Sequence, residues 1–390
     1  MAWTGRTVEE LREEFVKKVL ANEKSKSALC QEYGISRPTG DKWIQRYLNN
    51  ESLSDKSRAP FTTPNRISTE IEQLIVDTRK KYPALGAAKI HRILENQGYP
   101  NLPCVKTVNN VLKRNNLISK EASLKATPHL RFEKTAPNDM WQADYKGHFA
   151  LKDNTRCHPL NIIDDYSRFN LCCEAQYTES FAEIQPVMIR IFQEFGLPFS
   201  LLCDNGNPWG TPQSTGYTKF EVWLMELGIL TIHCRIRHPQ TQGKEESFNR
   251  SLTRECLAYH EFEDMNAAQL GFNEYRNFYN HHRPHHALDL DVPAKRYQPS
   301  ERKMPTRIEE WEYGQGYQLC KVRSHGFFNY NGQGYFLSEG FADKTIAVRE
   351  SSLPGQISLF FRQFRIGRID VEKRVYTLKR TYLIDGDPRL

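Results

Sequence analysis

The hydrophobic pattern of this 390-residue chain changes its character twice, which excludes a single uniform fold. Up to about residue 118 the apolar residues recur at helical spacing. From Trp141 they form strand-like runs that later alternate with helical segments. From about Tyr317 only short runs rich in β-branched and aromatic residues remain. A chain of this length predicts two to four domains, and we expect a multidomain α+β protein.

The first helical region, residues 1–50, has the pattern of a helix-turn-helix domain. Three helical segments occur there, and the glycine turn at Gly34 precedes the last of them. In such a domain the last helix enters the DNA major groove, which would make Arg37, Thr39 and Lys42 contact residues. A plain three-helix bundle with a solvated basic face would give the same pattern.

Residues 67–118 repeat the helical pattern, and we expect a second helix-turn-helix domain there. Residues 51–66 are rich in proline, serine and arginine and read as an extended linker, and residues 119–136 form a second linker. In the first linker, Arg58 is a candidate for the DNA minor groove. An ordinary solvated linker is an equal alternative.

The remaining chain predicts two further domains. In residues 137–300, strands come first and then helices and strands alternate, which indicates an α/β sheet covered by helices. In residues 315–385, short strands are separated by Asn-Gly, Gly and Pro turns, which indicates a small antiparallel β-barrel.

Composition limits the function classes only loosely. Lys and Arg exceed Asp and Glu by 54 − 47 = 7, which suits a polyanionic partner but is also common in proteins that bind none. The nine cysteines include no CxxC pair and no spacing suited to zinc, so reduced structural thiols are expected. Because the sequence shows neither a signal peptide nor a run of about 18 apolar residues, we expect a soluble intracellular protein with no membrane partner.

Three acidic residues of the central region stand at strand ends or at a helix start. Asp144 lies within "WQADYKG", Asp204 directly follows "SLLC", and Glu246 begins the helix after "PQTQG". Gathered at one edge of a sheet, these carboxylates would bind a hard cation such as Mg²⁺, and two such ions suit an in-line phosphoryl transfer. Each acid also has a structural alternative as a loop-edge acid, a turn residue or a partner of the helix dipole.

Five segments in this order resemble the integrase core of DDE transposases, the insertion-sequence enzymes that are related to retroviral integrases and share the RNase H fold. The segments are "MWQADYKG", "IIDDYSR", "LLCDNGNPWG", "RHPQTQGKEESFNRSL" and "YNHHRPHHALDLDVPAKRY". The resemblance implies an RNase H-like catalytic core in residues 137–300. It also implies that the family's metal triad falls on Asp144, Asp204 and Glu246.

The resemblance decides between two adjacent glutamates. The family's glutamate follows the loop glycine by three residues, which from Gly243 gives Glu246. Glu245, about 100° away round the helix, would point elsewhere.

Four polar residues around Glu246 are candidate DNA contacts. Asn249 and Arg250 lie three and four residues beyond it and therefore on its helix face, while Gln240 and Gln242 lie in the preceding loop. A solvated surface position is an equal alternative for all four.

The implied protein is a transposase that binds the terminal inverted repeats of its own mobile element, cleaves the 3′ ends and joins them to target DNA. The resemblance implies Mg²⁺ or Mn²⁺ as cofactor, two ions per active site, and a homodimer or higher oligomer on double-stranded DNA. The expected location is the bacterial cytoplasm, with the nucleoid. Two alternatives are a domesticated DNA-binding regulator without catalysis and an RNase H-like nuclease without strand transfer.

Overall fold

The computed structural model describes residues 7–56, 67–118, 133–206, 208–210, 216–233, 243–351, 354–371, 375–377 and 382–383. The chain forms two compact units, Met1–Arg66 and Ile67–Leu390. Within the described ranges, no helix combines the length and the apolar character that a bilayer span requires.

Three helices form the first unit. Its core contains Phe15, Leu29 and Trp43, one from each helix. Gly40 is required at the closest approach of the helices, since a Cβ there would lie 2.8 Å from Cys30 Sγ. The helices confirm the pattern expected from the sequence: α1 (Val8–Leu20), α2 (Lys26–Glu32) and α3 (Arg37–Leu48).

The second unit begins with three more helices that form a cluster of their own. Ile75, Ile90 and Val111 are fully buried between them. Tyr82, directly after the first of these helices, stacks on Phe278 with ring centroids 4.5 Å apart, so the cluster packs against the following domain. The helices are α4 (Thr69–Lys81), α5 (Ala87–Asn96) and α6 (Val105–Arg114).

A mixed sheet follows, with helices packed on it. Its strands are β1 (Trp141–Tyr145), β2 (Phe149–Ala150), β3 (Arg156–Asp164), β4 (Asn170–Gln176), β5 (Ser200–Cys203) and β6 (Leu230–His233). Its helices are α7 (Phe181–Phe195), α8 (Lys219–Glu226), α9 (Gly243–Leu252) and α10 (Met265–His281).

The sheet has β1 at its centre. On one side β1 pairs antiparallel with β3, which pairs with β2 and β4, and on the other side it pairs parallel with β5, which pairs parallel with β6. All four residues of β5 are buried, as parallel strands covered on both faces require. The predicted α/β core is therefore confirmed as a mixed sheet with helices packed on it.

Successive side chains of β1 point to opposite faces of the sheet, and different helices pack on each face. Trp141 and Ala143 belong to the cluster that includes Phe192 of α7 and Trp223 of α8. Asp144 must then point to the opposite face, where α9 and α10 pack on β3 and β4.

The last domain is a small antiparallel β structure. Its main sheet has the order β13-β12-β11-β10-β7, with β14 also paired to β12, and β8 and β9 form a separate hairpin. The strands are β7 (Gln318–Lys321), β8 (Phe327–Tyr330), β9 (Gln333–Phe336), β10 (Thr345–Glu350), β11 (Gln356–Phe361), β12 (Phe364–Asp370), β13 (Val375–Thr377) and β14 (Tyr382–Leu383).

The expectation of a closed β-barrel is not confirmed, since in the described residues the sheet remains open between β7 and β13. The physical reason lies in its apolar face, which shares one hydrophobic cluster with Tyr217, Val222, Met225 and Leu230 of the central domain. The sheet thus covers its apolar face by packing against α8 and β6.

Candidate active site

Asp144 and Asp204 come together at the carboxyl edge of two adjacent parallel strands. Trp141 pairs with Leu201 and Gln142 with Leu202. Continuing this register by two residues on each strand places Asp144 beside Asp204, which directly follows β5. The sequence predicts that both acids end their strands at one sheet edge. In the structure Asp144 lies one residue before the end of β1, and the assignment of the two acids as metal ligands stays a prediction.

Hydrogen bonds hold both carboxylates. Asn249 Nδ2 on α9 donates to Asp144 Oδ2 (3.1 Å), and Asn161 Nδ2 on β3 donates to Asn249 Oδ1 (2.7 Å). The main-chain N–H of Gly206 donates to Asp204 Oδ1 (2.9 Å), which is the turn that the Asp-Asn-Gly sequence favours. Asp144 is therefore tied to α9, whereas Asp204 is fixed by its own turn.

The two carboxyls share an environment that disfavours negative charge. Burial, and then the carboxylate of Asp204, raise the pKa of Asp144 to about 7, and Glu179 and Glu246 act in the same direction. Burial also raises the pKa of Asp204, against the opposing effects of the Gly206 N–H and of a nearby histidine. A bound cation would reverse both effects, because it favours the charged carboxylates.

The two adjacent glutamates of α9 have different surroundings. Glu246 is exposed, and its charge contributes to the raised pKa of Asp144. Glu245 is fully buried, and both of its carboxyl oxygens lack a hydrogen-bond partner among the described residues. Burial, and next the charge of Asp144, hold the pKa of Glu245 well above its usual range. The assignment of Glu246 as the third ligand stays a prediction.

The donor chemistry of this site fits a hard divalent cation. Carboxylates are the oxygen ligands that Mg²⁺ prefers, and Glu245, whose pKa the charge of Asp144 helps to raise, has two buried oxygens without a hydrogen-bond partner among the described residues. In the parts of the chain that the structure describes, however, no three Asp, Glu, His or Cys side chains are arranged to hold one ion.

The predicted groove-facing residues lie at the start of α3. Arg37 and Lys42 are exposed, and Arg37 Nη2 donates to Ser27 Oγ (2.6 Å). The Thr39 hydroxyl lies 2.8 Å from Ser36 Oγ, and the Thr39 N–H donates to that oxygen, so Ser36 caps the helix. The predicted DNA contacts of this helix stay predictions.

The other candidate DNA contacts have different positions. Asn249 is half-buried and bonded to Asp144, so its side chain belongs to the carboxylate site, whereas Arg250 is exposed on α9. Three further candidates lie outside the described residues: Arg58, Gln240 and Gln242.

The sequence reasoning missed two features near the aspartates. Glu179, in the turn before α7, raises the pKa of both Asp144 and Asp204 and lies 2.9 Å from His158 Nδ1. Glu221 on α8 and His233 on β6 form a buried pair behind Asp204. Neither feature belongs to a recognised spacing, and only the fold brings these residues to the site.

Family models match successive parts of the chain. Two models, each described as "Integrase core domain", match residues 134–239 and 227–293. A "Helix-turn-helix domain" model matches residues 11–61, and a "Homeodomain-like domain" model matches residues 39–112.

Curated relatives match over much of the chain. The "Putative transposase for insertion sequence element IS5376" of Geobacillus stearothermophilus is 22% identical over 373 residues, which cover 92% of this chain and 87% of that protein. The "Insertion element IS476 uncharacterized 39.2 kDa protein" of Xanthomonas euvesicatoria is 25% identical over 276 residues, which cover 65% and 75% respectively.

Solved structures resemble the chain only slightly. A chain of the simian T-cell lymphotropic virus intasome is 14% identical, with a TM-score of 0.38, and the match covers 73% of this chain and 91% of that one. The HTLV-2 integrase catalytic core domain in complex with magnesium is 15% identical, with a TM-score of 0.32 and coverages of 41% and 97%.

The mixed sheet and the integrase core matches support a polynucleotidyl transferase-type enzyme with an integrase-like catalytic core. With the helix-turn-helix domains before this core, the chain is related to the insertion-sequence transposases, which confirms the resemblance noted in its sequence.

Proposed function

We propose that this protein is a transposase that cleaves the 3′ ends of its own mobile element and joins them to target DNA. The observation that carries the proposal is the pair Asp144 and Asp204, which lie side by side at the carboxyl edge of an integrase-like sheet. With Glu246 on α9 they form the proposed catalytic triad, which supplies carboxylate ligands for Mg²⁺ or Mn²⁺.

Two phosphoryl transfers account for the reaction. In the first, a water oxygen attacks the phosphorus at the element end, the bond from phosphorus to the 3′ oxygen breaks, and that oxygen leaves as a 3′ hydroxyl. In the second, this hydroxyl loses its proton and attacks a phosphorus of the target, whose own 3′ oxygen leaves. Two bound divalent ions would stabilise the attacking and leaving oxygens of both steps.

The protein's own residues bind and orient these groups. Asn249 holds one oxygen of Asp144, and the turn at Gly206 holds one oxygen of Asp204, so the protein's own groups orient both carboxylates for ligation. Because the same carboxylates serve both transfers, one active site is enough for cleavage and joining.

The helical domains supply the DNA recognition in this proposal. The helix-turn-helix matches and the exposed Arg37 and Lys42 support readout of the terminal inverted repeats by α3, with Thr39 beside them. Arg250 and the loop residues Gln240 and Gln242 would contact DNA near the scissile phosphate, and Arg58 would follow the minor groove. Because two element ends must be joined together, we propose a homodimer or higher oligomer on DNA.

An assay with labelled element ends, plasmid target and Mg²⁺ or Mn²⁺ tests the proposal. A joined product is expected. Cleavage alone would indicate a nuclease, and binding alone would indicate a regulator without catalysis, so either result rejects the transposase proposal. Asp204→Asn should abolish joining and spare DNA binding, whereas Asp153→Asn, at an exposed position, is the matched control and should leave both intact.

A further inference from the structure

A buried pair of polar side chains lies next to Asp204. His233 ends β6, and its Nε2 lies 2.8 Å from Glu221 Oε1 on α8. The two side chains are only 4% and 2% exposed. Burying polar groups is costly unless they are hydrogen-bonded, so the remaining hydrogen bonds of this pair indicate its role.

The second ring nitrogen of His233 faces the main chain of the proposed metal ligand. His233 Nδ1 lies 2.7 Å from the main-chain oxygen of Asp204. A carbonyl oxygen can only accept a hydrogen bond, so Nδ1 donates to the Asp204 oxygen while Nε2 bonds to Glu221. His233 thus connects Glu221 to the peptide of Asp204 by two hydrogen bonds.

Glu221 is itself held in place on its other oxygen. Its Oε2 accepts from the Thr218 N–H (2.7 Å) and from the Thr218 hydroxyl (3.1 Å), while the Glu221 N–H donates to Thr218 Oγ1 (3.1 Å). This is a capping box at the start of α8. The carboxylate therefore has a fixed position from which it orients the imidazole ring.

Tyr217, which precedes Thr218 of the capping box, is hydrogen-bonded to the C-terminal domain. The Tyr217 N–H donates to Ser338 Oγ (2.9 Å), the Ser338 hydroxyl donates to the Tyr217 carbonyl (2.7 Å), and the Tyr217 hydroxyl donates to the Ile366 carbonyl (2.6 Å). The C-terminal domain is thus linked to Tyr217 by hydrogen bonds, to Thr218 through the chain, and from there by hydrogen bonds through Glu221 and His233 to the main chain of Asp204.

We infer that Glu221 and His233 are positioning residues that hold the main chain of Asp204 so that its carboxylate faces Asp144. Asp204 is the first residue after β5. The histidine holds its main-chain oxygen, and the turn at Gly206 holds one oxygen of its carboxylate. This inference rests on the proposed function of Asp204.

The test measures Mn²⁺ binding and strand transfer by the full-length chain. Loss of a residue that orients a metal ligand typically weakens metal affinity or activity by about 10- to 100-fold. We therefore expect Glu221→Gln and His233→Gln to weaken Mn²⁺ binding, measured by electron paramagnetic resonance of the free ion, by at least about 10-fold. The Mn²⁺ concentration for half-maximal joining should rise in parallel, whereas the Kd for DNA should stay within about twofold of the unaltered chain.

The matched control is Glu226→Gln. Glu226 lies on the same helix, and its carboxylate accepts from Lys344 Nζ (2.6 Å) of the C-terminal domain. Among the hydrogen bonds of the described residues, its side chain has none to His233. It should bind Mn²⁺ like the unaltered chain. Wild-type Mn²⁺ binding and metal dependence in Glu221→Gln would overturn the inference, as would equal effects of Glu221→Gln and Glu226→Gln.

Two further outcomes keep the inference separate from protein folding and from the proposed function. If the variants fail to fold, NMR of the unaltered chain replaces them. The ring ¹⁵N signals of His233 should then shift on addition of Mg²⁺, and unchanged signals would overturn the positioning role. If the unaltered chain binds Mn²⁺ but never joins DNA, the proposed transposase function fails, while the variants' Mn²⁺ affinities still decide the role of the pair.

Discussion

The Asp144 carboxyl should destabilise the metal-free protein at neutral pH, and Asp144→Asn should remove this effect. Its pKa is about 7 in the folded chain, raised by burial and by Asp204, against about 3.9 when unfolded. Below about pH 4 both states are protonated and the carboxyl has no effect. Between about pH 4 and about pH 7 only the unfolded chain ionises, so the free energy of unfolding falls as pH rises.

The size of this effect follows from the same two pKa values. The difference between about 7 and about 3.9, at about 1.36 kcal/mol for each pH unit, sets an upper limit of ~4 kcal/mol. Water reaches part of the carboxyl and screens its charge, so we expect about 2 kcal/mol. Asp144→Asn keeps a side-chain oxygen that can accept from Asn249, so the helix contact should survive.

Urea unfolding between pH 4 and pH 8 in the presence of EDTA measures the effect. Trp141, Trp209 and Trp223 are buried in the core that contains β1, so their fluorescence reports its unfolding. Asp144→Asn should match the wild type at pH 4 and exceed it by about 2 kcal/mol at pH 8. Mg²⁺ should stabilise only the wild type at pH 8. The exposed control Asp153→Asn should change stability by less than about 0.5 kcal/mol. Parallel pH profiles of wild type and Asp144→Asn would refute the reasoning.

Three further changes test the packing. Glu245→Val should raise the free energy of unfolding at pH 8 by about 1 to 4 kcal/mol, because it removes a buried carboxyl without partners; a less stable variant in urea would contradict this. Arg283→Ala should cost about 3 to 5 kcal/mol, because it leaves buried Glu255 without its two 2.6 Å bonds; in the same titration, a loss under about 1 kcal/mol would show the pair to be dispensable. Gly196→Ala should lower the melting temperature, since its φ is +79° and a Cβ would lie 2.6 Å from the Ser300 carbonyl oxygen; an unchanged melting temperature would count against this strain.

The parts that the sequence predicted are those that depend on local patterns. Thr7 and Ser36 are of the residue types that favour helix N-caps, and in the structure both cap the helices that follow them. The strand that ends before Asp204 is an apolar run followed by a turn sequence, and β1 contains Asp144 as its fourth residue of five. Local patterns therefore predict both strands, whereas the pairing of these strands depends on the fold.

The parts that the sequence could not predict depend on distant contacts. Glu221 and His233 belong to different elements and to no motif, and only the parallel pairing of β5 and β6 brings the histidine beside Asp204. The complete burial of Glu245 is equally non-local, since a glutamate after a loop glycine normally indicates a solvated helix start. The expected closed barrel was not found for the same reason, because α8, which ends 318 − 226 = 92 residues before the sheet begins, packs on the apolar face of the sheet.

The hydrophobic cluster that Tyr217, Val222 and Met225 share with the C-terminal sheet limits how this protein can be shortened or recombined. Truncation near residue 310 would expose the apolar residues on both sides of this cluster to water. An isolated central domain should therefore aggregate unless those apolar positions are redesigned. Exchange of C-terminal segments between distant relatives should fail for the same reason, so the two regions are expected to be inherited as one piece.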